Sequence, residues 1–209
     1  MRILVFGASG LTGGIVVDSA LKRGDQVLVL TRDASKFSHR HPNLQVMQGS
    51  ASSMQDIENA LEGVDAVIHC LGIGGKGHGA STTVVSDSVK ATLDAMKKKG
   101  VRRIVCMSNV GAGNSGTWFY NRVVLPVFLR WLKPIIEDKN RMEAALKSSS
   151  VDWVSVRLPN IVSGPSKRIR SSQDGKGIGI SITTESTAEF LLQQVSENTW
   201  LRRTPSISN

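Results

Sequence analysis

The chain has few of the residues that mark metal-binding or disulfide-linked proteins. Only 2 of its 209 residues are cysteine, and both Cys70 and Cys106 stand in apolar, strand-like runs. We therefore expect buried free thiols in a reducing compartment, with a redox pair as the alternative if the two strands are neighbours. No spacing of histidine, cysteine and carboxylate residues indicates a metal site.

Long apolar runs and basic stripes are also missing. No apolar stretch approaches the length of a membrane span, and the first one is too short for a signal peptide, so we expect a cytoplasmic protein without a membrane span. The net charge of +9 comes from scattered clusters, and aromatic residues make up only 5% of the chain. This pattern indicates solvated surfaces that attract anionic ligands, and it predicts no nucleic-acid partner.

The most informative feature that is present is a glycine-rich segment directly after the apolar run of residues 3–6. It reads Gly7-Ala8-Ser9-Gly10-Leu11-Thr12-Gly13-Gly14 and leads into apolar residues at helical spacing. At such a strand-to-helix turn, the free N–H groups and the positive end of the helix bind phosphate. Gly7 permits the tight turn, Gly10 lets a pyrophosphate approach, and Gly13 lets the helix pack closely.

Strand-like and helix-like segments alternate along the rest of the chain. Strands are predicted at residues 26–30, 44–47, 66–71, 103–107 and 153–156, and helices at 53–61, 80–99, 138–147 and 186–195. This order predicts a single Rossmann-type α/β domain over residues 1–209, with a doubly wound parallel sheet and helices on both faces. The polar, glycine-rich residues 166–181 are predicted to form a mobile loop near the substrate mouth.

The residues after the second predicted strand favour NADP over NAD. An acidic residue about 20 positions after the glycines would hold the ribose of NAD. Here Arg32 offers a guanidinium suited to a 2′-phosphate, and Lys36 adds a second positive charge. Asp33 is expected to cap the short helix that begins near Ala34. NAD stays open as an alternative, as does an Arg32 that is merely exposed.

These segments together resemble the atypical short-chain dehydrogenases/reductases, near the NmrA-like proteins and the biliverdin-IXβ reductase and flavin reductase group. The resemblance is carried by the glycine segment, Thr31-Arg32-Asp33 with Lys36, Cys70-Leu71-Gly72, and residues 138–143 and 151–160. It implies pyrophosphate contacts from Gly7, Ser9, Gly10, Leu11, Thr12 and Gly13, and 2′-phosphate contacts from Arg32, Ser35 and Lys36. It further implies adenine contacts from Ser50 and Ala51, and contacts near the nicotinamide from Leu71, Gly72, Pro159, Asn160 and Ile161. Relatives commonly carry aspartate where Ser50 stands.

The proton donors of such enzymes are replaced in this chain. The only tyrosine, Tyr120, is followed four residues later by Val124, so the Tyr-x-x-x-Lys pattern is broken. The family's Ser-Ser pair appears as Ser108-Asn109, and Asn160 stands where biliverdin-IXβ reductases carry histidine. We expect Ser108 and Asn109 to orient the substrate at the catalytic site. An acceptor that needs no enzyme acid, such as a flavin, a quinone or a bilin, tolerates these losses.

Residues 118–136 form a second unusual segment, rich in apolar and aromatic side chains. They form a helix on the core, a lid over the nicotinamide, or a contact with a subunit or membrane surface. We expect the substrate region to be built from residues 109–136 and 160–185, with Trp118 and Tyr120 binding substrate; packing is the alternative for Tyr120. His78, in a glycine-rich loop, is the one histidine placed to reach a ligand.

Three functions stay open at this point. The first is an NADPH-dependent reductase that passes hydride to a small planar organic acceptor, with the protein supplying position rather than acid–base chemistry. The second is an NmrA-type sensor that binds NADP without turnover. The third is a retooled biosynthetic enzyme that catalyses a cyclisation or isomerisation on the same fold. The sequence leaves open whether the chain forms a homo-oligomer.

Overall fold

The computed structural model describes residues 1–37, 40–72, 81–115, 122 and 130–209, without the side chains of Lys36 and Asn114. The strands are β1 (Arg2–Phe6), β2 (Gln26–Thr31), β3 (Leu44–Gln48), β4 (Ala66–His69), β5 (Arg103–Asn109), β6 (Asp152–Leu158), β7 (Asn160–Val162), β8 (Arg170–Ser172), β9 (Ser181–Thr183) and β10 (Ser206–Ser208). The helices are α1 (Leu11–Lys22), α2 (Met54–Ala60), α3 (Val84–Lys99), α4 (Lys133–Ser148) and α5 (Thr184–Gln193).

Eight strands form the central sheet in the order β3-β2-β1-β4-β5-β6-β10-β8. All neighbours in it are parallel except β10 and β8, which are antiparallel, and β7 and β9 form a separate parallel pair. The strand order reverses between β1 and β4, since β2 lies on one side of β1 and β4 on the other. In open α/β sheets, ligands bind at the carboxyl ends of the strands beside such a reversal.

Helices cover both faces of the sheet. Along β1, Ile3 and Val5 pack in a core with α1 and α5, whereas Leu4 and Phe6 pack in a second core with α2, α3 and α4. Burial on both faces explains why this strand is continuously apolar rather than alternating. The predicted doubly wound parallel sheet with helices on both faces is confirmed. Within the described ranges, no helix is long and apolar enough to cross a membrane.

Several predicted boundaries are wrong for reasons that lie elsewhere in the chain. The strand expected to reach residue 71 ends at His69, and the helix expected from residue 138 already begins at Lys133. The helix expected from residue 80 begins at Val84, because the carboxylate of Asp138 accepts hydrogen bonds from the backbone N–H groups of Val85 at 3.0 Å and Ser86 at 3.1 Å. A side chain of α4 therefore fixes the first turn of α3.

Four strands of three residues each, β7 to β10, were not predicted. Three residues are too few to show a periodicity. The expected mobile loop at residues 166–181 is wrong for β8, which lies at the far edge of the sheet and pairs with β10. The expected cap at Asp33 is confirmed, since its carboxylate accepts from the backbone N–H of Ser35.

The two cysteines are both free and lie on opposite faces of the sheet. Cys70 packs against the core of α1 and α5, and Cys106 lies in the core of α2, α3 and α4. Burial raises the pKa of the Cys70 thiol to about 12 and raises that of Cys106 as well. Strands β4 and β5 are neighbours, but the two thiols pack against opposite cores and both are free, as expected.

Candidate functional site

The turn between β1 and α1 lies at the point where the strand order reverses. Gly7 has φ of +76°, a left-handed conformation that favours glycine. Its Cα lies close to the backbone of Cys70 and Leu71, which follow β4. A Cβ atom on Gly7 would lie 2.8 Å from the carbonyl oxygen of Cys70. Glycine is thus required here both by backbone conformation and by the close approach of the two chains.

Gly13 and Gly10 differ in what surrounds them. A Cβ atom on Gly13 would lie 2.1 Å from the carbonyl oxygen of Gly7, so the first turn of α1 rests directly on the glycine turn. A Cβ atom on Gly10 would meet only that same oxygen, at 3.3 Å. Gly10 precedes α1, has no side-chain cap, and is followed by no acidic residue in the first turn. The helix therefore presents free N–H groups and its positive end to a ligand.

Arg32 follows β2, the strand next to β1. Its side chain is exposed and forms no ion pair with any other described residue. Ser35 is exposed as well, but its hydroxyl donates to the Asp33 carboxylate at 2.6 Å. The Asp33 carboxylate holds the turn through these bonds, and Arg32 is the exposed cation described at this corner. The side chain of Lys36 lies outside the description.

The chain after β3 turns beside the end of β2. The backbone N–H of Ser50 donates to the Asp56 carboxylate of α2 at 2.8 Å, and the Ser50 hydroxyl lies 2.8 Å from that of Ser52. A Cβ atom on Gly49 would lie 2.8 Å from Leu30, so the chain turns closely past β2. Ser50 and Ala51 are both partly buried at this turn.

A buried lysine joins the ends of β4 and β5. Lys139 of α4 is 4% exposed, and its Nζ donates to the carbonyl oxygen of Leu71 at 3.2 Å and of Met107 at 2.7 Å. Burial lowers the pKa of its ammonium group to about 8, because the charged form loses hydration. These bonds engage two of the three N–H donors of the ammonium group.

Ser108 is bound to a buried ion pair directly behind the end of β5. Its hydroxyl donates to Glu143 Oε1 at 2.8 Å, and Arg157 donates to both oxygens of the same carboxylate, at 3.0 and 2.6 Å. All three residues are buried. The turn that follows β5 rests on this pair, because a Cβ atom on Gly113 would lie 2.2 Å from Arg157 Nη2.

The remaining predicted residues divide into those that reach the same edge and those outside the description. Asn109 ends β5 and is partly buried; Pro159 follows β6, the neighbour of β5, and Asn160 and Ile161 begin β7. Leu71 is partly buried and Gly72 exposed at the end of β4. Trp118, Tyr120 and His78 lie outside the described residues. Over the described ranges, no cluster of histidine, cysteine or carboxylate side chains could hold a metal ion.

Sequence reasoning missed Lys139, Glu143 and Arg157. Lys139 has Ile135 four residues before it, so no Tyr-x-x-x-Lys spacing marks it in the sequence. Glu143 and Arg157 carry no local signal, since their pairing joins a helix to a strand.

Comparisons with known proteins agree with this geometry. The model of an NAD(P)H-binding family matches residues 7–198. The UPF0659 protein YMR090W of Saccharomyces cerevisiae is 24% identical over 227 residues, covering 100% of this chain and 93% of the yeast protein. The chloroplastic divinyl chlorophyllide a 8-vinyl-reductase of Arabidopsis thaliana is 29% identical over 123 residues, covering 53% of this chain and 30% of that protein.

A solved structure supports the same fold. A short-chain dehydrogenase/reductase of wide type from Veillonella parvula, in complex with NADP, superposes with a TM-score of 0.81 at 15% identity, covering 100% of this chain and 94% of that one. At this identity the likeness shows a shared fold, and the predicted relation to NAD(P)-binding proteins is confirmed by the family match. Its glycine turn, the uncapped start of α1 beside it and a family match that begins at Gly7 and extends to residue 198 place this chain in the NAD(P)H-binding family.

Proposed function

We propose that the chain is an NADPH-dependent reductase whose acceptor is a small, planar, conjugated molecule such as a flavin, a quinone or a bilin. NADPH supplies the hydride when it is bound. The protein holds the cofactor and orients the acceptor.

The residues present fit a nicotinamide dinucleotide. The free N–H groups that follow Gly10 would hold the pyrophosphate, and the exposed Arg32 would hold the 2′-phosphate. Ser50 and Ala51 would border the adenine. Asn109 ends β5, and Asn160 begins β7 two residues after the end of β6; their amides would orient the nicotinamide and the acceptor. In place of the predicted substrate contact, the Ser108 hydroxyl would hold this edge of β5 in position through Glu143.

The observation that carries the proposal is that the buried Ser108 hydroxyl at this edge is already engaged and that the Lys139 ammonium group is held by two carbonyl oxygens. The Ser108 hydroxyl donates to Glu143, and the Lys139 ammonium group donates to two carbonyl oxygens below the site. No tyrosine precedes Lys139 at the spacing of four. A ketone that must be protonated as it is reduced gains from a positioned acid, whereas a conjugated ring can take its proton from water. The conjugated acceptor therefore suits these residues.

The test is oxidation of NADPH, followed by its absorbance, with FMN, menadione or biliverdin as acceptor and cyclohexanone as the unactivated ketone. We expect turnover with at least one conjugated acceptor and none with cyclohexanone. Arg32→Ala should raise the KM for NADPH about tenfold or more and leave the KM for NADH unchanged, because only NADPH carries the 2′-phosphate. The matched control is Arg170→Ala, an exposed arginine on β8.

Each part of the proposal can fail separately. Equal effects of Arg32→Ala on NADPH and NADH would overturn the assigned 2′-phosphate site. Tight NADPH binding without turnover on any acceptor would overturn the reductase and favour the NADP-binding sensor. An NADP-binding sensor also needs no free proton donor at this edge. The same assay therefore tests this second function.

A further inference from the structure

A second cavity lies at the far edge of the sheet from the glycine turn. Its volume is about 410 Å³, within the range of small-molecule sites. The second half of α5 forms one wall, and the chain leading into β8 forms the other. Strands β4, β5, β6 and β10 stand between β1 and β8, so this cavity is separate from the proposed dinucleotide groove at the glycine turn.

One buried side chain in the cavity has an unmet hydrogen-bonding capacity. Gln194 follows α5 and is 1% exposed, and its Oε1 has no hydrogen-bond partner among the described residues. An amide oxygen withdrawn from water without a partner is destabilising, and native structures rarely leave one so. A ligand that brings an N–H or O–H donor to this oxygen would remove that cost.

The same cavity offers an aromatic surface and two cations. Phe190 is buried and Trp200 partly buried, and both line the cavity. Lys167 and Arg168 are exposed at its wall, and neither forms an ion pair within the described part of the chain. The aromatic rings suit a flat ring system, and the two cations suit one anionic group.

The wall that carries these cations is held in place by α5. The backbone N–H of Ser166 donates to Glu185 at 3.1 Å, and that of Lys167 donates to the Ser186 hydroxyl at 2.9 Å. Glu189 and Glu197 also line the cavity and bring its formal charge to zero. These carboxylates disfavour a ligand with several negative charges.

We propose that this cavity binds a small planar heterocycle that combines an amide-like N–H edge with one anionic group. The N–H edge meets Gln194, the ring lies against Trp200, and the anion meets Lys167 and Arg168. The proposal does not depend on the reductase activity, because none of these residues belongs to the dinucleotide groove.

Orotate and UMP are the probes, since each joins a uracil edge to a carboxylate or phosphate. Binding is measured by calorimetry with the protein saturated with NADP, which occupies the dinucleotide groove. We expect both probes to bind, and uridine, which lacks the anion, to bind about tenfold more weakly or worse. Failure of both probes to bind the NADP-saturated protein would overturn the proposal.

Two variants locate the bound probe. Gln194→Leu removes the unpartnered oxygen, so it should fold at least as stably as the wild type while weakening both probes about tenfold. The double variant Lys167→Ala/Arg168→Ala should weaken orotate and UMP but leave uridine unchanged. The matched control, Arg170→Ala/Lys176→Ala, removes two other exposed cations nearby. Loss of binding in the control, or retention in both test variants, would place the probe elsewhere and overturn the proposal.

Discussion

Lys139 Nζ lies 2.7 Å from the carbonyl oxygen of Met107 and ties α4 to the carboxyl end of β5. The same amine reaches Leu71 just after β4, so one side chain holds together two strand ends at the edge of the sheet where the cofactor is proposed to bind. The cost of this arrangement is a cation with little access to water, which is why burial lowers the pKa of Lys139 to about 8.

Replacement of Lys139 by methionine tests that desolvation through the pH dependence of stability. Between pH 8 and 10.5, the unfolded wild type holds the lysine proton and the folded wild type releases it. The unfolded state therefore binds more protons, and the free energy of unfolding contributed by this lysine rises with pH, by about 1.4 kcal/mol per pH unit. Lys139→Met lacks this titration.

The measurement is urea unfolding of both proteins at pH 7, 8, 9 and 10. Above pH 8, the free energy of unfolding of the wild type should rise relative to that of Lys139→Met. Lys147→Met changes an exposed lysine in the last turn of the same helix, and its free energy of unfolding should follow the pH dependence of the wild type. A constant difference between the wild type and Lys139→Met would mean that the lysine is hydrated.

Glu143→Gln tests the ion pair behind Ser108. The change leaves the buried Arg157 guanidinium without its countercharge, so the free energy of unfolding should fall by about 3 kcal/mol. Glu137→Gln, on the exposed side of α4, is the control, and it should lower the free energy of unfolding by less than about 0.5 kcal/mol. Equal losses in denaturant titrations of the two variants would show that the buried pair adds nothing specific.

Gly13→Ala and Gly14→Ala form a matched pair on one helix. The new methyl group at position 13 would lie 2.1 Å from the Gly7 carbonyl oxygen, whereas the one at position 14 would lie an ordinary 3.5 Å from that of Ala8. We expect Gly13→Ala to lose about 3 kcal/mol of stability and its NADPH binding. Gly14→Ala should gain up to about 1 kcal/mol. Thermal unfolding and NADPH fluorescence titration measure both effects, and equal behaviour of the pair would contradict the close approach.

The two thiols should resist both alkylation and mutual oxidation. Because burial raises the pKa of Cys70 to about 12 and also raises that of Cys106, little thiolate is present at pH 8. Iodoacetamide should label neither cysteine in the folded protein and both in urea, as counted by mass spectrometry. Treatment with diamide should give no intramolecular disulfide, and the appearance of one would contradict their placement on opposite faces.

The parts of the molecule that the sequence predicts are those set by neighbouring residues. The glycine turn could be placed because Gly7, Gly10 and Gly13 act within seven positions of one another and next to an unmistakable strand. The cap at Asp33 is equally local. These features fix the fold class, and the resemblance built on them places the nucleotide groove.

The parts that the sequence did not predict depend on contacts between distant segments. Glu143 and Arg157 look like ordinary surface charges until α4 packs across β5 and β6, and only that packing engages the Ser108 hydroxyl. The start of α3 is set by Asp138, 53 residues beyond Val85. Strand β10 is defined by its pairing with β6 and β8, since its three residues are too few to show a hydrophobic periodicity.

The cap that Asp138 places on α3 also orders the assembly of the chain. Until α4 has docked, the amide groups of Val85 and Ser86 have no acceptor, so the first turn of α3 frays even where the rest of the helix has formed. The two helices therefore gain their final stability in one cooperative event. Hydrogen exchange at Val85 and Ser86 consequently reports the docking of α4 rather than the helicity of α3.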